Sequence, residues 1–159
     1  MLERADDLYD EAVAIVSAER AALHARGVPG ELVWTGGSSV PGALTRGDVD
    51  LHLRVAPALF TTAVELVRRD HAVVHPGIWC ATLATFAVEA PVPAGLAVTP
   101  IGSEHDLRFT RTWDRLRTEP SLLAEYNDLK LAGESLDPHE YEARKSAFFT
   151  RLATAPRGS

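Results

Sequence analysis

The sequence predicts an α+β fold, with a small mixed β-sheet, flanking helices and a C-terminal helical segment. An amphipathic pattern fills residues 2–26 and ends at Gly27, as a helix does. Between residues 31 and 102, short alternating or apolar stretches bounded by Gly and Pro indicate strands, with one helical pattern among them. From residue 103 onward the apolar residues recur at helical spacing. Strands followed by a run of helices are typical of an α+β domain.

Each predicted element has its own local signal. In chain order, the predicted elements are a helix over residues 2–26, strands over 31–37 and 48–55, a helix over 57–70, a strand over 71–75, two hairpin strands within 77–102, and helices over 103–117, 120–133 and 137–152. Pro57 and Pro120 suit the first turn of a helix, and Gly133 suits the end of one. Ser103 and Asp106 have the spacing of an N-terminal cap with an acid three residues on.

Length and composition fit one domain over residues 1–159, with a helix and sheet core over 1–102 and C-terminal helices over 103–154. The chain is 46% hydrophobic and 24% charged, so it can bury a core. Cys80 is the single cysteine, which excludes intramolecular disulfides and thiolate metal clusters. The net charge of -6 works against binding long nucleic acids.

We expect a cytoplasmic protein with no membrane partner. No apolar run approaches the roughly 18 residues that cross a membrane, and the charged N-terminus does not resemble a signal peptide. The final Pro-Arg-Gly-Ser, residues 156–159, resembles the remnant of a protease site.

A glycine turn followed by two aspartates is the most informative stretch. The turn ends the first predicted strand and consists of Gly36, Gly37, Ser38 and Ser39. Asp48 and Asp50 follow in the next predicted strand, although aspartate is depleted in strands. Side chains at i and i+2 share one face, so the two carboxylates can share divalent cations. Glycines let backbone N–H groups approach phosphate oxygens, and this order of strand, glycine turn and Asp-x-Asp is that of the nucleotidyltransferase fold.

The pattern predicts a site for Mg²⁺ and a nucleoside triphosphate (NTP). Asp48 and Asp50 are the predicted metal ligands and catalytic residues, since Mg²⁺ is usually held by one or two carboxylates plus substrate phosphates. The nucleotidyl group would transfer by in-line displacement. A third carboxylate is commonly needed, and Glu89 is the only acid between Asp70 and Glu104. We expect Glu89 to be a metal ligand or the general base towards the acceptor hydroxyl.

Each part of this pattern also has an ordinary structural explanation. The glycine turn can be a simple strand-to-helix connection, and Pro41-Gly42 a turn pair. Asp48 and Asp50 can belong to the solvated face of an edge strand. The ordered combination favours the functional interpretation over these separate ones.

Basic side chains are candidate nucleotide ligands. Arg46 lies in the loop beside the turn, and Lys130 and Lys145 lie in predicted helices from which they could reach nucleotide phosphates. The alternative for the lysines is ordinary helix-surface charge with acidic neighbours one turn away. His52 shares the face of the two aspartates and could orient a carboxylate, although strand histidines are more often surface residues.

The sequence resembles the GrpB-like family, a small branch of the nucleotidyltransferase superfamily. Residues 36–42, Arg46 and Asp50-Leu51 match its Gly-Ser-Thr-Ser-Val-Pro-Gly loop, lysine and Asp-Ile pattern. Further matches in the C-terminal half are Asp114, Leu116, Arg117, Pro120, Tyr126, Leu129, Lys130, Tyr141, Lys145 and Phe148. The resemblance implies a nucleotidyltransferase-like domain with C-terminal helices, sometimes fused to dephospho-CoA kinase, whose own reaction is not settled.

The chain departs from the family pattern in two opposite directions. Trp34, Gly47 and Ala97 stand where the family has histidine, proline and histidine, which removes polar groups from the expected site. Asp48, in contrast, stands where the family usually has a hydrophobic residue, and it completes a metal-binding pair.

Three function classes follow. The first is a Mg²⁺-dependent enzyme that transfers a nucleotidyl group from an NTP to an unidentified small-molecule or protein acceptor. The second is a non-catalytic or regulatory nucleotide-binding module. A third interpretation, an interaction protein that uses the fold as a scaffold, predicts no nucleotide affinity.

Overall fold

The computed structural model describes residues 1–154, so the Pro-Arg-Gly-Ser end lies outside the described residues. The strands are β1 (Glu3–Arg4), β2 (Glu31–Thr35), β3 (Leu44–Thr45), β4 (Val49–Val55), β5 (Ala84–Val88) and β6 (Ala94–Pro100). The α-helices are α1 (Tyr9–Ala25), α2 (Phe60–Arg68), α3 (Glu104–Thr118), α4 (Pro120–Gly133) and α5 (Pro138–Thr154). None of these helices is long and apolar enough to cross a membrane.

Four strands form a mixed sheet in the order β2-β4-β6-β5. β4 runs antiparallel to β2 and parallel to β6, while β5 and β6 form the predicted antiparallel hairpin. A parallel pair needs a crossover, and the connection from β4 to β6 carries α2. β1 and β3 form a separate two-stranded pair. The predicted α+β class with a small mixed sheet and C-terminal helices is confirmed.

Strict alternation along β4 places its apolar residues in the core. Val49, Leu51, Leu53 and Val55 are at most 1% exposed and belong to the main hydrophobic cluster, to which α1 and α2 also contribute. A second cluster packs residues of α3, α4 and α5 against the loop that precedes β3. Because that loop also contains the glycine turn, the C-terminal helices are fixed beside the turn.

The polar face of β4 is covered rather than solvated. β4 lies between β2 and β6, so the edge-strand explanation does not hold for Asp50. His52 is 1% exposed, and its Nε2 lies 2.6 Å from Thr99 Oγ1 while Phe109 of α3 packs edge-on at 5.3 Å. Burial lowers the pKa of His52 to about 4, although nearby Asp106 opposes the shift. Arg54 donates two hydrogen bonds to fully buried Asp106, at 2.6 and 2.9 Å.

α1 begins later than its apolar pattern predicts. The chain first pairs Glu3–Arg4 with Leu44–Thr45 and then makes a 3₁₀ turn over Ala5–Leu8. This pairing is non-local, so helical periodicity alone could not reveal it.

Residues 71–75 do not form the predicted strand; in this segment only Val73 makes a bridge to β5. The ring of His71 instead turns inward, where Nε2 contacts Glu19 Oε1 of α1 and Nδ1 lies 3.2 Å from the carbonyl oxygen of Val67. That carbonyl, in the last turn of α2, also accepts hydrogen bonds from the N–H groups of Asp70 and His71, each at 3.1 Å. The side chain of His71 therefore joins the end of α2 to α1 instead of alternating along a strand.

The His71 contact predicts a pH dependence of stability. The hydrogen bond to Glu19 raises the pKa of His71, and burial opposes it. A base whose pKa is higher in the folded state gives its full stabilisation below the unfolded value of 6.5 and loses it as the pH rises through the folded value. We expect the free energy of unfolding in urea to fall by about 1 kcal/mol above pH 6.5, the size of one hydrogen bond. The same slope in His71→Gln would contradict this assignment.

Candidate functional site

Asp50 is the centre of the candidate site. It lies in β4 in register with Thr35 of β2 and Gly95 of β6, near the point where β2 enters the glycine turn. Burial raises the pKa of Asp50 to about 6; the charge of Asp48 adds to the shift, while Lys145 and Lys130 oppose it. Asp48 is exposed and directly precedes β4. In the described part of the chain the Asp50 carboxylate accepts no hydrogen bond from the protein.

The glycine turn is shaped around this carboxylate. Gly36 is buried, with φ of 74° and ψ of -178°, a conformation essentially restricted to glycine. A Cβ at this position would come close to Asp50 Oδ2, and it would also lie 2.8 Å from Asp50 Cβ. The turn and the strand carboxylate therefore fit each other only because position 36 has no side chain.

The two serine hydroxyls of the turn have partners inside the protein. Ser38 is buried, and its Oγ accepts a hydrogen bond from Trp34 Nε1 at 2.9 Å. Ser39 Oγ donates to the carbonyl oxygen of Gly36 at 2.7 Å and accepts from Arg117 Nη2 at 2.7 Å. Arg117 also reaches the carbonyl oxygens of Trp34 and Ser39. Ser39 thus stabilises the turn, and its hydroxyl proton is donated to the Gly36 carbonyl rather than to a ligand.

Arg117 was not predicted as a site residue. The sequence shows it only as part of the Asp-x-Leu-Arg motif of α3. Its two hydrogen bonds to Ser39 of the turn and its one to Trp34 of β2 depend on how α3 packs across β2. That motif was the signal that could have pointed to it.

The predicted basic residues lie beside two tyrosines, and both lysines act electrostatically on Asp50. The half-buried Lys130 of α4 has its Nζ 5.6 Å from the ring centroid of Tyr126, and burial lowers its pKa while Asp48 and Asp50 oppose the shift. Lys145 of α5 is also half-buried. Its Nζ lies 6.0 Å from the ring centroid of Tyr141, and Arg46 Cζ lies 5.6 Å from the same centroid.

Tyr126 closes the site on the helical side. It is buried, and a Cβ added to Gly37 would come within 2.7 Å of its hydroxyl oxygen. Burial raises the pKa of Tyr126, and Tyr141, Asp48 and Asp50 add to the shift. Its hydroxyl therefore stays protonated beside the turn.

Glu89 is placed apart from the two aspartates. It is exposed, follows the last residue of β5, and lines a cavity of about 590 Å³ against α1, whereas Asp50 lines a different cavity. Across the sheet from Asp50 the neighbouring positions are Thr35, Gly95 and Ala87, none of which is acidic. No group of three or more His, Cys, Asp or Glu side chains within residues 1–154 could hold a metal ion. The structure thus assembles two of the three predicted carboxylates.

Comparisons with known proteins support the fold. The crystal structure of the conserved protein GrpB from Enterococcus faecalis superimposes with a TM-score of 0.67 over 89% of this chain and 90% of that one, at 16% identity. The chain is GrpB-like in fold. The UPF0157 protein VC_A0354 of Vibrio cholerae is 28% identical over 123 residues, which is 74% of this chain and 62% of the relative. The resemblance predicted from the loop and helix motifs is confirmed.

No family model matches the chain. The GrpB-like chain spans about three fifths of the length of the curated relative, 62%. The relative's name states no reaction.

A cavity of about 300 Å³ opens beside Asp50 on the face of the sheet that α3 covers. Phe109 and Trp113 of α3 form one wall, and Thr35, Asp50 and His75 supply polar side chains. The lining from β6 includes Gly95 and Ala97, which leave space in the cavity because they carry little or no side chain. The half-buried Asp50 carboxylate is therefore reached from a largely apolar cavity.

Proposed function

We propose that the protein binds an NTP with Mg²⁺ at Asp48 and Asp50 and transfers the nucleotidyl group to a hydroxyl of an unidentified small-molecule or protein acceptor. The observation that supports this proposal most is the Asp50 carboxylate, which is half-buried, lies against Gly36 and has no hydrogen-bond donor from residues 1–154. A buried charge without a partner is costly, and a bound cation would remove that cost.

The donor set fits Mg²⁺ that arrives with a nucleotide. Mg²⁺ is usually held by one or two carboxylates together with substrate phosphates, and Asp48 and Asp50 are such a pair. A site for a metal bound by protein side chains alone would need more carboxylates than these two. When bound, the ion would neutralise charge on the phosphates and polarise them towards attack.

The surrounding side chains suit the phosphates. Lys130 of α4 and Lys145 of α5 both act electrostatically on Asp50, and Arg46 lies beside the same tyrosine as Lys145. Positive charge on transferring phosphoryl groups, together with positioning, supplies most of the catalysis in this class of reaction. Gly36 and Gly37 let Asp50 and Tyr126 pack directly against the turn, where a side chain at either position would collide with them.

Binding without transfer is the second candidate, and one observation favours it. The positions beside Asp50 on neighbouring strands are Gly95 and Ala87, so no third carboxylate stands where one would assist transfer. The two candidates differ in one readout. Transfer releases pyrophosphate from the NTP, whereas a binding module leaves the NTP intact.

Thermal shift and pyrophosphate release with each of the four common NTPs test the proposal. We expect a rise in melting temperature that requires both Mg²⁺ and NTP, followed by Mg²⁺-dependent pyrophosphate release. Arg144→Gln is the matched control, since Arg144 is an exposed cation beside Lys145 that pairs with Glu140. Stabilisation without pyrophosphate would select the binding module, and no stabilisation by any NTP would contradict both candidates.

The lysines allow an independent check. Lys130 and Lys145 are the only two lysines of the chain. We expect bound Mg-ATP to slow their acetylation by sulfo-NHS-acetate several-fold, because phosphates would cover both amines, while the exposed N-terminal amine reacts as before. Peptide mass spectrometry measures the three sites separately. Equal labelling with and without Mg-ATP, in protein that calorimetry shows to be saturated, would place the nucleotide elsewhere.

A further inference from the structure

The cavity beside Asp50 holds a titratable side chain that the sequence did not single out for catalysis. Within the lining of that cavity, Asp50 supplies a carboxyl group and His75 supplies an imidazole. His75 follows the bridge at Val73 and precedes a 3₁₀ turn. Its imidazole makes no hydrogen bond or ring contact with any of residues 1–154, so both ring nitrogens are open to a ligand.

The backbone at His75 is unusual. With φ of 48° and ψ of 50°, it is the one residue other than glycine with positive φ among residues 1–154. This left-handed conformation is uncommon, and such residues concentrate at functional sites. The carbonyl oxygen of His75 accepts a hydrogen bond from the Ile78 N–H at 3.0 Å, which fixes the turn.

The cavity that Asp50 and His75 line has an aromatic wall and few polar groups. Phe109 and Trp113 are held by edge-on or near edge-on ring contacts, Phe109 with His52 at 5.3 Å and Trp113 with Tyr126 at 5.9 Å. At about 300 Å³ the cavity is at the lower end of small-molecule sites, which run from about 300 to 1,000 Å³. An apolar wall with a few polar groups suits a small molecule with an apolar body and one hydroxyl.

We propose that this cavity binds the acceptor, a small hydroxyl compound with an apolar or aromatic body, and that His75 is the general base that removes the hydroxyl proton. The inference rests on the proposed nucleotidyl transfer and assigns to His75 the role first expected of Glu89. The acceptor oxygen forms a bond to the α-phosphorus while the bond from that phosphorus to the bridging oxygen breaks. Pyrophosphate leaves with the electron pair of that bond, and the acceptor proton passes to His75 and then to solvent.

Benzyl alcohol serves as the probe for the cavity, because it has an aromatic ring and one hydroxyl. In NMR titrations of the metal-free protein we expect it to shift the indole N–H signal of Trp113 and the ring signals of His75. The indole signals of Trp34 and Trp79, which do not line the cavity, are internal controls. Ala97→Leu fills the cavity and should remove the shifts. Shifts that persist in Ala97→Leu, or that spare Trp113 and His75, would overturn the acceptor site.

Pyrophosphate release from Mg-ATP with saturating benzyl alcohol tests the proton transfer. His75→Asn suits the left-handed backbone and should lower the rate on the order of 10²–10⁴-fold, the usual contribution of a general base, with unchanged ATP affinity. His24→Asn, an exposed histidine of α1, is the control and should keep the wild-type rate. A wild-type rate no higher than that of His75→Asn overturns the role of His75. Failure of ATP to bind at all overturns the proposed function, whereas the NMR titration still decides the cavity.

Discussion

Replacing Asp50 with asparagine is expected to abolish Mg²⁺-dependent nucleotide binding while making the metal-free protein more stable. Burial raises the pKa of this carboxyl from 3.8 to about 6, so the folded state disfavours its charge by up to about 3 kcal/mol. Asparagine keeps the shape and removes the charge. We expect urea denaturation at pH 7 to show a gain of about 1–3 kcal/mol for Asp50→Asn. Native proteins commonly give up stability at functional sites in this way.

The pH dependence of stability checks the origin of this gain. An acid with a raised folded pKa loses stability as the pH rises from 3.8 to about 6. His52 has the opposite sign, because its pKa is lowered from 6.5 to about 4, and it gains stability as the pH rises through that range. The two effects oppose each other in the wild type. Asp50→Asn should therefore lose up to about 3 kcal/mol between pH 6.5 and 4 that the wild type keeps.

A variant without this added acid sensitivity would show that the Asp50 carboxyl does not carry the destabilising charge. Loss of stability at pH 7 in Asp50→Asn would contradict the assignment as well. Asp48→Asn is the matched control, since Asp48 is exposed and should change stability much less.

Replacing Gly36 with alanine is expected to destroy the site and to destabilise the fold. The backbone conformation alone costs a residue with a side chain about 1–3 kcal/mol. The added Cβ also collides with the Asp50 carboxylate and lies 2.8 Å from its Cβ. We expect a total loss of about 3 kcal/mol or more in the free energy of unfolding, and no detectable nucleotide binding.

Gly27→Ala separates the cost of the backbone conformation from the cost of the collision with Asp50. Gly27 has a similar φ of 70°, but a Cβ there meets no atom within 4 Å. It should lose only about 1–2 kcal/mol and keep nucleotide binding. Equal losses of stability and binding in the two variants would mean that the fit between Gly36 and Asp50 does not matter.

The sequence predicted those parts of the fold that depend on local patterns. β4 was visible from its strict alternation, α4 from Pro120 and Gly133, and the cap of α3 from Ser103, whose Oγ accepts from the Asp106 N–H at 3.3 Å. The strand expected at 71–75 was wrong because a contact with α1, distant in sequence, determines how His71 turns.

The sequence predicted the part of the candidate site whose residues lie close together along the chain. Asp48, Asp50 and the glycine turn are close in sequence, so their spacing carried the information. Lys130 and Lys145 were found because they belong to the family motifs of the C-terminal helices. Glu89 could not be placed without the strand order.

Strand register also decided what the sequence could not show. Gly95 and Ala87 lie beside Asp50 only because β6 is parallel to β4 and β5 is antiparallel to β6. His75 lines the same cavity because its segment runs alongside β5. Neither relation is encoded in a local pattern.

Isothermal titration calorimetry with each NTP, in the presence and absence of Mg²⁺, tests the central claim most directly. We predict saturable binding of at least one NTP that requires Mg²⁺, that disappears in Asp50→Asn and that Arg144→Gln leaves unchanged. Absence of binding of every NTP to the folded wild-type protein, or equal affinity of the Asp50→Asn variant, would contradict a Mg²⁺-nucleotide site at Asp50.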